Sequence, residues 1–233
     1  MESAHTQAGN PSNPDQALRR LIDGNDYAYR VGKLKIASLT PQDWVNERKR
    51  LNDQDQAPWA VIWGCIDSRV PPEFIFNSGL GELFVIRTAG QVSDGAALGS
   101  LEFAVKNEHY PVKVVVVLGH TNCGAVKAAI NSVTPPAMPA AHAEPAGDDG
   151  SSIHVLVDGI MPAYQQVMEA SKTQPKLDSD SLRLKVIKQN IAYQVSQLRD
   201  NKIVGAAERA HRIYIVGAIY DLVSGTATFG IEK

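Results

Sequence analysis

Cys65 and Cys123 are the only two cysteines of the chain, and each follows a run of apolar residues. Gly64 alone separates Cys65 from Trp59-Ala60-Val61-Ile62-Trp63, and Gly119-His120-Thr121-Asn122 separates Cys123 from Val114-Val115-Val116-Val117-Leu118. Both runs read as strands buried on both faces. An open parallel sheet binds ligands beyond the carboxyl ends of its strands, so two thiols far apart in sequence can converge there. His120, three residues before Cys123, can share its turn. Two thiolates and an imidazole suit zinc, and three protein ligands leave a fourth position open, the mark of a catalytic rather than a structural site. Gly124 opens a helix, whose N-terminus favours the thiolate form of Cys123. The same two residues leave open a disulfide or a pair of inert buried thiols.

Asp67 and Arg69 stand two and four residues after Cys65. On an extended segment all three side chains point to one side. Pairing with Arg69 holds the carboxylate ionised and fixes its orientation. Such a group either accepts a hydrogen bond from a metal-bound hydroxide, aiming its lone pair at a substrate, or coordinates the metal and shuts the site.

Converging corners require a sheet, and the 233 residues read as alternating strands and helices. Strands are expected at 59–63, 83–86, 114–118 and 213–216, followed by a terminal hairpin of 218–222 and 226–229. Helices are expected from Asn13-Pro14, with Gln16 reaching back to the cap and Gly24 as the stop; from Pro41 to about Leu51, with Thr40 as cap and Trp44 facing inward; and from Asp94 to about Asn107. Others are expected from Gly124 through Ile130, over 151–171 and over 180–199, the last with Leu184, Ile187, Ile191, Val195 and Leu198 at helical spacing. The fold class is therefore α/β, a mostly parallel central sheet of about four strands with an antiparallel edge strand, flanked by α-helices. Residues 134–150 read as a surface loop, residues 1–12 as a flexible N-terminal segment, and 13–233 as one domain.

Composition excludes several classes. Hydrophobic residues make up 44% and charged residues 21%, with a net charge of −2, which suits neither disorder nor a nucleic-acid partner. No apolar run reaches a membrane span and no signal peptide is visible at Met1. Two cysteines cannot staple a disulfide-dense secreted scaffold. The glycines at 79, 81, 90 and 95 lack phosphate-loop spacing. His5, His109, His142, His154 and His211 read as surface residues.

Cys65-Ile66-Asp67-Ser68-Arg69 followed by His120-Thr121-Asn122-Cys123-Gly124 resembles the β-class carbonic anhydrases, whose motifs are C-x-D-S-R and H-x-x-C. The similarity extends to Val70-Pro71-Pro72-Glu73, 81–87, 99–104 and 202–206, and so covers about residues 14–230. It implies a zinc enzyme, one ion per chain, for reversible hydration of carbon dioxide by attack of zinc-bound hydroxide, working as a homodimer or dimer of dimers. Cys65, His120 and Cys123 would be the ligands and Asp67 with Arg69 the catalytic pair. Gln56 would line the pocket from the neighbouring subunit, Phe84 matches a pocket-wall phenylalanine, and Val70, Phe103 and Gly124 complete the expected substrate contacts. Phe103 replaces the tyrosine of plant-like members, and Arg87-Thr88-Ala89-Gly90-Gln91 replaces the commoner R-N-A-G-N. Two thiolates cancel the formal charge of zinc, so its water should be less acidic than in an all-histidine site, where the value is about 7, and activity should rise above neutral pH. Competing readings are carbonyl sulfide or carbon disulfide hydrolysis, a zinc-stabilised binding domain with Asp67 as fourth ligand, and a metal-free redox dithiol. Zinc thiolates fit a reducing cytoplasm.

Overall fold

The computed structural model describes residues 9–32, 34–133, 152–172 and 177–231. Its elements are α1 (Pro14–Val31), α2 (Pro41–Gln54), β1 (Ala60–Cys65), α3 (Pro72–Ile75), β2 (Leu83–Thr88), α4 (Gly95–Lys106), β3 (Val114–His120), α5 (Gly124–Val133), α6 (Ile153–Ala170), α7 (Ser179–Asp200), α8 (Val204–Arg209), β4 (Tyr214–Tyr220) and β5 (Ala227–Phe229). The strands form one sheet in the order β2-β1-β3-β4-β5, parallel except for the antiparallel β4–β5 pair. This is the expected architecture, flanked by helices. The central strands β1 and β3 are buried along their whole length, which is why their sequences show no alternation.

Buried apolar side chains form one cluster, running from Ala17 and Leu21 of α1 through β1 and β3 to Ile187, Ile191 and Leu198 of α7. Among the described residues no helix is long and apolar enough to cross a membrane. The 134–150 segment lies outside the described residues.

Several local expectations need correction. Asn13 caps α1 through Oδ1, which accepts from Gln16 N, but the Gln16 side chain accepts from Ser12 rather than from Asn13. The helix runs through Gly24 and stops at Gly32, whose φ of 62° closes a bond to Ala28 O. Gly24 serves packing instead: a Cβ there would lie 2.2 Å from the Phe76 carbonyl oxygen. Trp44 is only half-buried, and no residue of α2 is buried. The 213–216 strand and the first hairpin strand are one continuous β4, because seven successive residues pair with β3 through Gly217. Residues 9–12 are anchored rather than loose, with Pro11 buried and Asn10 Nδ2 donating to Ala57 O; residues 1–8 lie outside the described set.

Candidate metal centre

β1 ends on Cys65 and β3 ends on His120. The two strands are neighbours inside the sheet, with Gly64 beside Leu118, so both present side chains at its carboxyl end. The chain leaves β3 through Asn122, whose φ is 57°, and places Cys123 immediately before α5. Asparagine is among the few residues that tolerate this left-handed turn.

The sulfurs of Cys65 and Cys123 are 4.0 Å apart, too far for a disulfide bond. The donor atoms of Cys65, His120 and Cys123 all lie within 4.8 Å of one another, and all three residues are buried. His120 Nδ1 is 2.9 Å from Thr121 O, which assigns its proton to that nitrogen and leaves a lone pair on Nε2. Nε2 is buried and, among the described residues, has no hydrogen-bond partner. An orphaned buried nitrogen beside two sulfurs is costly unless a cation fills the gap, and S, S and N donors fit zinc.

As free thiols the two cysteines share a proton. The hydrogen bond with Cys123 pulls Cys65 down to about 4, helped by His120 and the Asp67 and Gly90 amides. The same bond, with burial, pushes Cys123 up, although the first amides of α5 pull the other way. Gly90 N donates to Cys65 Sγ at 3.3 Å.

Asp67 and Arg69 meet through a turn rather than along an extended segment. Asp67 Oδ1 accepts from Arg69 N (3.0 Å) and Nε (2.8 Å), and Oδ2 accepts from the Arg69 guanidinium at 2.5 Å. These bonds hold the Asp67 carboxyl well below the usual carboxylate range. Oδ2 is 3.8 Å from His120 Nε2, so the carboxylate borders the donor group without joining it. Arg69 is half-exposed at a cavity of about 500 Å³ that it lines with Tyr29, Phe74, Tyr220 and Leu222.

The carbonic anhydrase family model matches residues 60–227. The chain belongs to the β-carbonic anhydrase family. It is 46% identical over 122 residues to the carbonic anhydrase of Mycolicibacterium smegmatis, 52% of this chain and 55% of that protein. It is 32% identical over 181 residues to that of Pseudomonas aeruginosa, 73% of this chain and 72% of the other. A Coccomyxa β-carbonic anhydrase solved in complex with acetazolamide superposes with a TM-score of 0.63 at 26% identity, covering 80% of this chain and 81% of that one. The chain spans little more than half the length of the curated relatives it matches at 44–46% identity.

The other expected site residues divide by location. Val70 is buried and follows Arg69 directly, its amide donating to Asp67 O. Gly124 opens α5 beside Cys123, with nothing near the position of a Cβ. Phe84 and Phe103 line a groove of about 440 Å³ along β2 and α4 that includes none of the three donors. Phe84 packs edge-on against Tyr110, and Phe103 is 59% exposed. Gln56 is exposed on the segment after α2. One protomer thus brings together Cys65, His120, Cys123, Asp67 and Arg69, with Val70 and Gly124 next to them in sequence, and leaves Phe84 and Phe103 on a separate groove and Gln56 on the segment after α2. His109, His154 and His211 are exposed as expected; His5 and His142 lie outside the described residues.

Sequence reasoning missed Arg87, whose Nε donates to Cys65 O at 2.8 Å and whose terminal nitrogen donates to Asp67 O. It thereby clamps the loop carrying both a donor sulfur and the carboxylate. The sequence marks Arg87 only as the head of the Arg87-Thr88-Ala89-Gly90-Gln91 segment and gives no sign of these two carbonyl partners.

Proposed function

We propose that this β-carbonic anhydrase catalyses reversible hydration of carbon dioxide to bicarbonate and a proton, with one zinc ion per chain held by Cys65, His120 and Cys123. The observation that carries this reading is His120 Nε2: buried, unpaired and within 4.8 Å of both sulfurs. When bound, zinc supplies Lewis-acid activation of water toward an electrophilic carbon. Thiolate and neutral imidazole donors also explain why the chain buries these polar atoms at all.

Asp67 acts as the hydrogen-bond acceptor at this position. Its carboxylate is kept ionised and aimed by Arg69, so Oδ2 can take the hydrogen of the reacting water and turn the oxygen lone pair toward carbon dioxide. With both oxygens engaged by Arg69, Asp67 is drawn away from a role as fourth ligand, which favours an open site over the binding-domain reading. Buried Val70 gives the uncharged substrate an apolar wall, and Gly124 leaves space beside Cys123. Gln56 and Phe103 act from a second copy, in a homodimer or dimer of dimers, which the exposure of both supports; Phe84, on a groove apart from the donors in its own protomer, is left without a contact to them. Residues 13–233 work as one catalytic domain, in a reducing cytoplasm that keeps both thiols free.

The test is metal analysis with stopped-flow hydration across pH 6–9. One zinc per chain, with activity lost to a chelator and restored by zinc, is expected. Stoichiometric zinc without hydration at any pH would overturn the reading.

A further inference from the structure

The N–H that Gly90 gives to Cys65 stands at the end of a row of hydrogen bonds that begins at Ser93 and passes through two side-chain amides of α7. Ser93 N and Oγ donate to Gln194 Oε1 at 3.1 and 2.9 Å. Gln194 Nε2 donates to Asn190 Oδ1 at 3.3 Å and to Gly159 O at 3.1 Å. Asn190 Nδ2 donates to Gly90 O at 2.9 Å, and Gly90 N donates to Cys65 Sγ at 3.3 Å. From Ser93 to Gly90 O every donor points the same way, so each of these bonds polarises the next, and the N–H of the preceding peptide then meets the sulfur.

Asn190 and Gln194 are an odd pair to find on a core face. They are 0% and 1% exposed, one helical turn apart, among Ile187, Ile191, Val195 and Leu198. Two buried amides there are tolerable only because each is hydrogen-bonded, and what they hold is the 89–93 segment. That segment needs holding. The β1–β2 ladder ends at Cys65 and Thr88, so no strand partner orients the Gly90 peptide. Gly90 also sits in the left-handed region at φ 66°, packed so closely that a Cβ would come within 2.8 Å of Ile160 Cδ1.

We infer that Asn190 is a positioning residue for the Cys65 sulfur: by holding Gly90 O it fixes the Gly90–Gln91 peptide and, through the shared Cα, the orientation of the preceding Ala89–Gly90 peptide whose N–H meets that sulfur, with Gln194 orienting the Asn190 amide. The inference rests on the proposed zinc site, and its consequence is tighter metal binding and a sulfur of lower donor strength.

The experiment compares zinc affinity by chelator competition, and the sulfur-to-metal absorption of the cobalt-substituted protein, in Asn190→Leu and Leu198→Ala. Leu198 lies on the same buried face and touches none of these groups by hydrogen bond, so its truncation reports simple loss of packing. Asn190→Leu is expected to weaken zinc binding about 10–100-fold and to shift the cobalt band, and Leu198→Ala to do neither. Zinc binding by Asn190→Leu no weaker than by Leu198→Ala, with an unmoved band, would overturn the inference. Should Asn190→Leu fail to fold, Gln194→Met carries the same test: a smaller loss of affinity and a band shift of the same sign support it, and no change overturns it. Hydration is assayed on the unmodified protein alongside. Zinc binding without hydration would remove the proposed activity and leave the affinity comparison standing.

Discussion

Replacing Gly90 by alanine tests the site through its backbone. The added methyl forces a non-glycine residue to φ 66°, which costs about 1–2 kcal/mol. It also places Cβ 2.8 Å from Ile160 Cδ1 and 3.2 Å from Ala125 Cβ, an overlap that adds about 1–3 kcal/mol. Gly90→Ala should therefore destabilise the fold by about 2–5 kcal/mol. The two contributions separate in a double-mutant cycle, because Ile160→Val deletes the clashing Cδ1 and alone costs about 0.5–1.5 kcal/mol. In the Ile160→Val background, Gly90→Ala should lose most of its overlap cost and keep its backbone cost, giving a coupling of about 1–2 kcal/mol. Urea unfolding of the four proteins in reducing buffer measures it. Additive effects within about 0.5 kcal/mol would mean that the methyl never meets Ile160, and the packing described around Gly90 would be wrong.

Asp67→Asn should retain zinc yet lower hydration by about 10²-fold, the cost of losing the group that orients the reacting oxygen. Because Arg69 lowers the folded value of Asp67, the carboxylate stays charged above pH 5, and its contribution to stability fades only as pH falls through that lowered value. The loss should accordingly be equal at pH 6 and pH 9, and a loss confined to one side of the profile would refute the role. Asn25 is buried and bonds Ile75 O, Gly225 O and Ala227 N, tying α1 to α3 and β5. Asn25→Ala should cost about 2–4 kcal/mol in urea unfolding, and a loss under 1 kcal/mol would contradict that knot. Gly24→Ala, which would stabilise an isolated helix by about 1 kcal/mol, should destabilise this protein because of Phe76 O; a raised melting temperature would show the contact to be slack.

What could be read from the sequence was whatever follows from local pattern. The unbroken apolar runs of β1 and β3 announced strands buried on both faces, and their ends announced where Cys65 and His120 would stand. Asn13-Pro14 and Thr40-Pro41 announced helix starts. Signals that depend on a distant partner were misread. Gly24 looked like a helix stop because the Phe76 carbonyl that requires it is 52 residues away in sequence. Gly217 looked like a break between strands, whereas pairing with Val117 carries β4 straight through it. Leu184, placed on the core stripe of α7 by spacing, is 39% exposed. Asn190 and Gln194 were the one legible clue left unused: amides at core positions of an apolar helical stripe mark something buried that needs donors and acceptors. Arg87 stood at the head of a matched segment, but its role could not be read there, since its two carbonyl partners come together only once the Cys65–Asp67 loop has folded.

The account stands on two sulfurs and one imidazole nitrogen gripping a single ion. X-ray absorption at the zinc edge of the loaded protein reads that donor set directly. Two sulfurs at about 2.3 Å with nitrogen and oxygen scatterers near 2.0 Å are predicted. A shell of light atoms only, or of four sulfurs shared between chains, would contradict it.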